Sequence, residues 1–137
     1  MKQQIFLLIV LVFITVSFTE TPEPLNFGKD QCSFCKMIIS DPKYGAELVT
    51  DKGRVNKYDA LECLINDLNT NEPAYSKLYA VAFDKPEKLI IVDSLLFIIS
   101  PEYKSPMGAN LASFTKENTP VAEGMLDWKE LRTEFDQ

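Results

Sequence analysis

Residues 47–68 read ELVTDKGRVNKYDALECLINDL and contain the clearest fold signal in the chain. Apolar and polar side chains alternate in residues 46–50 and again in residues 54–58. The turn between these two runs contains Asp51 and Gly53, residue types that favour tight turns. The pattern predicts a β-hairpin.

A short amphipathic helix is predicted directly after this hairpin, over residues 60–68. Asp59 is a good N-cap residue, and Glu62 follows three positions later as in a capping box. Cys63 lies on this helix, slightly off its apolar stripe, and we expect its thiol to be inert. The stripe consists of residues at helical spacing: Leu61, Leu64, Ile65 and Leu68.

The rest of the chain predicts further strands and a weak internal repeat. Residues 78–83, 89–92 and 95–99 are apolar runs of strand length. Residues 47–68 can be aligned with residues 110–135, which offer a strand, a turn containing Lys and a second helix. The apolar stripe of that helix is Met125, Trp128, Leu131 and Phe135. The predicted fold is α+β, with two similar strand-strand-helix halves packed together, roughly residues 30–85 and 86–137.

Size and charge limit the classes of function. A chain of 137 residues has room for one compact domain. Its formal net charge of -6 excludes a general attraction to nucleic acid, which needs clustered Lys and Arg. We therefore expect no nucleic acid partner.

The N-terminus predicts export from the cytosol. Residues 1–20 combine an early Lys with an apolar run, which is typical of a signal peptide or, alternatively, an N-terminal membrane anchor. Residues 21–29, TPEPLNFGK, are predicted to form a linker to the domain that begins at residue 30. We expect an exported, periplasmic and membrane-associated protein, in which free thiols oxidise unless they are paired or bound to metal.

The motif CSFCKM at residues 32–37 places two cysteines and a methionine close together in a chain without histidine. A structural Cys32–Cys35 disulfide, a thiol redox site and a soft metal site are all compatible with it. A zinc site normally has four N or S ligands, which one CxxC, a remote Cys and no His do not supply. Cys35 and Met37 are soft donors two residues apart, and on an extended chain they point the same way. Met107, in SPMGAN, is displayed in a loop or seals the core.

Three segments together resemble the NosL family, accessory proteins of nitrous oxide reductase that bind Cu(I). They are the C-x-x-C-x-M step at residues 32–37, the DKG turn that leads into YDALECL, and the SPMGANLASF segment. The resemblance implies an α+β fold of two small halves. It also implies a Cu(I) site formed by Cys35, Met37 and Met107, to which we add Cys32. Lipid attachment is common in the family, but the cysteine that it needs after the signal is absent here.

The function that follows from this resemblance is that of a metallochaperone, a protein without enzymatic activity. It would hold Cu(I) and deliver it to nitrous oxide reductase, or to another copper-receiving protein, for assembly of a copper centre. The sequence leaves open a homodimer that shares one ion. The alternative function is an extracytoplasmic thiol-disulfide oxidoreductase that uses the Cys32 and Cys35 pair.

Overall fold

The structure, a computed structural model, describes residues 21–120 and 123–136 and confirms the predicted α+β class. The predicted signal or anchor, residues 1–20, lies outside the described residues. Within those residues, no helix combines the length and the apolar character needed to cross a membrane. The elements in chain order are β1 (Ala46–Thr50), β2 (Val55–Tyr58), α1 (Leu61–Asn71), β3 (Tyr75–Ala82), β4 (Lys85–Ile91), a short 3-10 turn (Val92–Ser94), β5 (Leu95–Ile99), β6 (Leu111–Thr115) and α2 (Trp128–Phe135).

The predicted hairpin is confirmed as β1 and β2, which pair antiparallel with Ala46 opposite Tyr58. Its turn closes through a hydrogen bond from the Gly53 N–H to the Thr50 carbonyl, 2.9 Å long. Gly53 has a φ of +75°, which glycine adopts more easily than other residues. β3 and β4 extend this hairpin into a four-stranded antiparallel sheet of order β2-β1-β3-β4.

The remaining two strands, β5 and β6, form a separate antiparallel sheet. The Phe83 N–H, just after β3, donates to the Ser113 carbonyl in β6 at 2.7 Å. The Ser113 hydroxyl donates back to the Val81 carbonyl at 2.6 Å. These two bonds join the sheets across the predicted halves, and β4, most of which belongs to the second half, pairs with β3 of the first.

The main core is formed by side chains of the four-stranded sheet, of β5 and β6, and of both helices. Leu48 and Ala80 from the sheet, Leu64 from α1, and Leu131 from α2 are buried in it. Residues 21–29, predicted as a linker, are folded against this core, because Leu25 is buried there. A second cluster lies near β5 and β6 and consists of Tyr44, Ile98, Ala112 and Phe114.

The two helix starts differ from the sequence prediction. At α1 the N-cap is Ala60, without a side-chain cap, so the predicted Asp59 and Glu62 capping box is wrong. Asp59 is buried and accepts a hydrogen bond from the Ser40 N–H instead. The Glu62 side chain is buried instead of capping the helix, because tertiary contacts outweigh the local capping-box pattern of the sequence.

A capping box does form at α2, where the sequence analysis placed none. The Asp127 side chain accepts from the Glu130 N–H at 2.8 Å, and the Glu130 carboxylate accepts from the Asp127 N–H at 2.9 Å. The helix therefore begins at Trp128, after Met125. Met125 packs against the second cluster instead of extending the helix stripe as predicted.

Candidate metal centre

The CSFCKM motif forms a tight turn between two extended residues, Gln31 and Ile38, which make an isolated antiparallel bridge. Inside the bridge, the Cys32 N–H donates to the Met37 carbonyl at 2.8 Å, and the Lys36 N–H donates to the Cys32 carbonyl at 3.1 Å. Lys36 adopts a left-handed φ of +66°, which turns the chain back on itself. The backbone conformation of the turn is therefore fixed by hydrogen bonds, which also fixes the positions from which its side chains project.

This turn is attached to the hairpin next to α1. The Ser33 N–H donates to the Lys57 carbonyl in β2 at 2.8 Å. The Lys57 ammonium also forms an ion pair with Asp30 at 2.9 Å, just before the turn. Ile39, just after the turn, is fully buried in the main core. These contacts hold the cysteine turn against the end of β2, close to where α1 begins.

Three cysteine sulfurs converge at this place: Cys32 and Cys35 from the turn and Cys63 from the first turn of α1. Their Sγ atoms all lie within 4.8 Å of one another. Trigonal coordination with metal–thiolate bonds of about 2.3 Å needs sulfurs about 4 Å apart. A small inward movement would therefore place all three sulfurs around one metal ion.

The three thiols are electrostatically unequal. A hydrogen bond from the Cys63 thiol, together with the backbone N–H groups of Asp59, Cys35 and Phe34, holds the pKa of Cys32 well below its ordinary value despite burial. The same hydrogen bond raises the pKa of Cys63, and burial adds to that shift. Burial raises the pKa of Cys35. The pKa of Cys32 is therefore shifted in the opposite direction from those of Cys35 and Cys63.

The sequence prediction missed Cys63, although it named Cys32 and Cys35. All three cysteines are free, so the structure has no Cys32–Cys35 disulfide. Cys63 is fully buried beside the other two, and its position does not support the expectation that it is an inert core thiol. The signal that pointed to it was the odd number of cysteines in the sequence.

The two predicted methionine ligands lie at the surface. Met37 is 51% exposed and belongs to the cysteine turn itself. Met107 is 41% exposed and lies on a different loop, between β5 and β6. Both exposures are high for methionine, which is usually buried in a small domain.

The loop that carries Met107 approaches the start of α1. Burial raises the pKa of the carboxyl of Glu62, the residue before Cys63, and the Ser105 hydroxyl and the backbone N–H groups of Glu62 itself, Ala109 and Met107 oppose that shift. This places the Met107 loop next to the helix turn that contributes the third thiol.

The fold and the site together define a small α+β protein with a cluster of three thiols and two exposed methionines. Its fold is similar to that of a solved structure, the copper chaperone NosL from Shewanella denitrificans. The TM-score is 0.70, with 18% sequence identity, over 81% of this chain and 95% of that chain. This likeness confirms the α+β fold that the sequence resemblance implies. No protein-family model and no curated protein sequence matches the chain.

Proposed function

We propose that this chain is an exported Cu(I)-binding metallochaperone of the NosL family, which receives copper and passes it to a second protein. Cys32, Cys35 and Cys63 hold the ion, and the Met37 and Met107 thioethers add to its affinity and assist its transfer. The chaperone itself carries out no covalent chemistry.

The observation that supports this proposal best is the convergence of three cysteine sulfurs within 4.8 Å. Thiolates and thioethers are soft donors and select Cu(I) over harder ions. The sequence has no histidine, so the donors that favour Cu(II) or a mixed zinc site are absent. A three-sulfur set also suits a trigonal ion better than a tetrahedral one.

The sulfur-containing side chains differ in solvent exposure, from fully buried to exposed, and this order suits the transfer of a metal ion. Cys32 and Cys63 are fully buried, Cys35 is partly exposed, and Met37 is exposed. An ion can leave the buried thiols through Cys35 and then the thioethers, with one ligand replaced at a time. Exchange of single ligands avoids a free copper ion at every step.

The proposed recipient is nitrous oxide reductase or another copper-receiving protein, and the proposed location is the periplasm, near the membrane. The family resemblance and the apolar N-terminal run support these two assignments. Fractionation tests the location, because full-length protein with Met1 intact in the cytosol contradicts export.

The alternative function, a thiol-disulfide oxidoreductase, has one supporting observation, the lowered pKa of Cys32. An attacking thiolate must reach its substrate, however, and Cys32 is completely buried. The CxxC motif also lies in a turn between extended residues instead of at a helix start. The geometry therefore favours metal binding over thiol exchange.

Anaerobic titration of the reduced protein with Cu(I), in competition with a coloured Cu(I) chelator, tests the proposed function. We expect one ion per chain, and loss of most of the affinity in both Cys32→Ser and Cys35→Ser. Ser33→Ala, in the same turn, serves as the matched control and keeps the affinity. Absence of Cu(I) binding together with rapid reduction of insulin disulfides would support the oxidoreductase instead.

A further inference from the structure

Lys57 is a largely buried lysine on the edge strand β2, beside the cysteine turn formed by residues 32–37. Its side chain is 16% exposed, which is low for a residue type that usually extends into solvent. The ammonium group donates to the Asp30 carboxylate and to the Pro24 carbonyl, each at 2.9 Å, and the Glu23 carboxylate lies 3.7 Å away. The position of this cation is therefore fixed by acceptors from the segment that precedes the cysteine turn.

Lys57 holds the cysteine turn at two separate points. Its ammonium group binds Asp30, and the Asp30 carbonyl accepts from the Ile39 N–H at 2.9 Å, which joins the two chain ends at the base of the turn. Its own carbonyl accepts from the Ser33 N–H, inside the turn, at 2.8 Å. A single attachment would leave the turn free to pivot, whereas two attachments to one residue also fix its orientation against β2.

The strand that carries Lys57 leads directly into the helix that carries the third cysteine. β2 ends at Tyr58, and Cys63 lies in the first turn of α1. The two residues that join these elements, Asp59 and Ala60, are buried. The chain between Lys57 and Cys63 is therefore short and packed, so an attachment to Lys57 also fixes the cysteine turn relative to the Cys63 sulfur.

We infer that Lys57 is a positioning residue of the metal centre, which holds the cysteine turn so that the Cys32 and Cys35 sulfurs stay beside the Cys63 sulfur. Lys57 does not contact the metal ion, and its ammonium group acts through Asp30. Both side chains of this ion pair are largely buried, so solvent screens their attraction less than that of a surface pair. The inference rests on the proposed function, because the position of the turn affects copper only if the three sulfurs share one ion.

Cu(I) affinity of the reduced protein, measured by competition with a coloured chelator, tests this role. Lys57→Leu removes the ammonium group without adding a sulfur, and we expect about 10-fold weaker binding, the scale typical of a supporting residue at a metal site. Asp30→Asn should cause a similar loss, and the double variant should lose no more than either single variant, because both changes break the same ion pair. Lys85→Leu breaks an ion pair with Glu117 at the opposite edge of the sheet and, as the matched control, should bind copper normally.

A second cycle separates positioning from a general structural effect. In the Cys63→Ser background, Lys57→Leu should have little further effect on Cu(I) affinity, because the cysteine turn no longer has a third sulfur to meet. A general structural effect would instead reduce the affinity by the same factor in both backgrounds. Asp30→Asn, which keeps the volume of the side chain, replaces Lys57→Leu in this cycle if Lys57→Leu does not fold.

Hydrogen exchange of the copper-free protein tests the attachment directly. The backbone amides of Ser33 and Ile39 donate to the carbonyls of Lys57 and Asp30. Both amides should exchange faster in Lys57→Leu and in Asp30→Asn, because the turn opens more often without the ion pair. They should exchange at the wild-type rate in Lys85→Leu.

The results separate the positioning role from the chaperone function. Full Cu(I) affinity in Lys57→Leu, an equal loss in both Cys63 backgrounds, or unchanged amide exchange overturns the positioning role and leaves the chaperone function standing. A loss in Lys57→Leu without any loss in Asp30→Asn also overturns it, because the ammonium group would then act through Pro24. If the wild-type protein binds no Cu(I) while the amides respond, the proposed function fails, and Lys57 is only a structural support for the turn.

Discussion

The Cys63 sulfur in the first turn of α1 lies within 4.8 Å of the Cys32 sulfur in the turn that precedes β1. This proximity explains why the two thiols have opposite pKa shifts, because their interaction lowers the pKa of Cys32 and raises the pKa of Cys63. The two cysteines therefore act as a unit, with Cys35 as the partly exposed third member. The effect of changing one of them depends on the others.

The first prediction concerns Cys63→Ser. Serine keeps a hydroxyl that can donate to Cys32 but offers copper a hard oxygen in place of sulfur. We expect the variant to fold, with Cu(I) affinity reduced at least ~10-fold in a chelator competition. Ala60→Ser places a hydroxyl at another fully buried position at the start of α1 and should bind copper normally. Unchanged affinity in Cys63→Ser would remove Cys63 from the site.

The elements with a strong local pattern could be predicted from the sequence. The hairpin of β1 and β2 follows from alternation around the turn at Gly53, and α1 follows from its apolar stripe. These patterns are formed by residues close together in the sequence, so the structure of each segment can be predicted from that segment alone. Helix caps were predicted poorly, because the α1 cap depends on where the buried Asp59 finds a partner in the tertiary structure.

The candidate site could be predicted only in part. Cys32 and Cys35 are close in the sequence, and their spacing alone suggests a shared role. Cys63 joins them because the Ser33 N–H attaches the turn to the Lys57 carbonyl, a contact that depends on tertiary folding. A long-range contact of this kind produces no periodic pattern in a single amino-acid sequence, so sequence periodicity does not predict it.

The second prediction concerns the capping box of α2. In Asp127→Ala the Glu130 N–H loses its side-chain acceptor. We expect the free energy of unfolding to fall by about 1 kcal/mol, with a smaller loss in Asp127→Asn because asparagine also caps helices. Urea unfolding measures both values. Because α2 contributes no sulfur to the site, Cu(I) affinity should not change, and a large loss of affinity would contradict the proposed site.

The third prediction concerns pH and Glu47. Burial raises the pKa of this carboxyl from 4.5 to about 7. A raised pKa in the folded state contributes stability that is complete below pH 4.5 and is lost as the pH rises through about 7. Between these values, Glu47→Gln should gain on the order of 3 kcal/mol relative to the wild type. Urea unfolding at several pH values measures this difference, from which the titration of other groups cancels. Parallel curves would contradict the raised pKa.

The fourth prediction is that Met107→Leu separates a packing role from a ligand role. Leucine keeps the apolar character and approximate volume of methionine, so a packing role implies a loss of stability below ~1.5 kcal/mol and unchanged copper binding. We expect the ligand result: near-normal thermal stability without copper, and Cu(I) affinity reduced at least ~10-fold in chelator competition. Met125→Leu is the matched control, since Met125 packs in the second cluster. Equal affinity in both variants would return Met107 to a packing role and leave the copper to the cysteines and Met37.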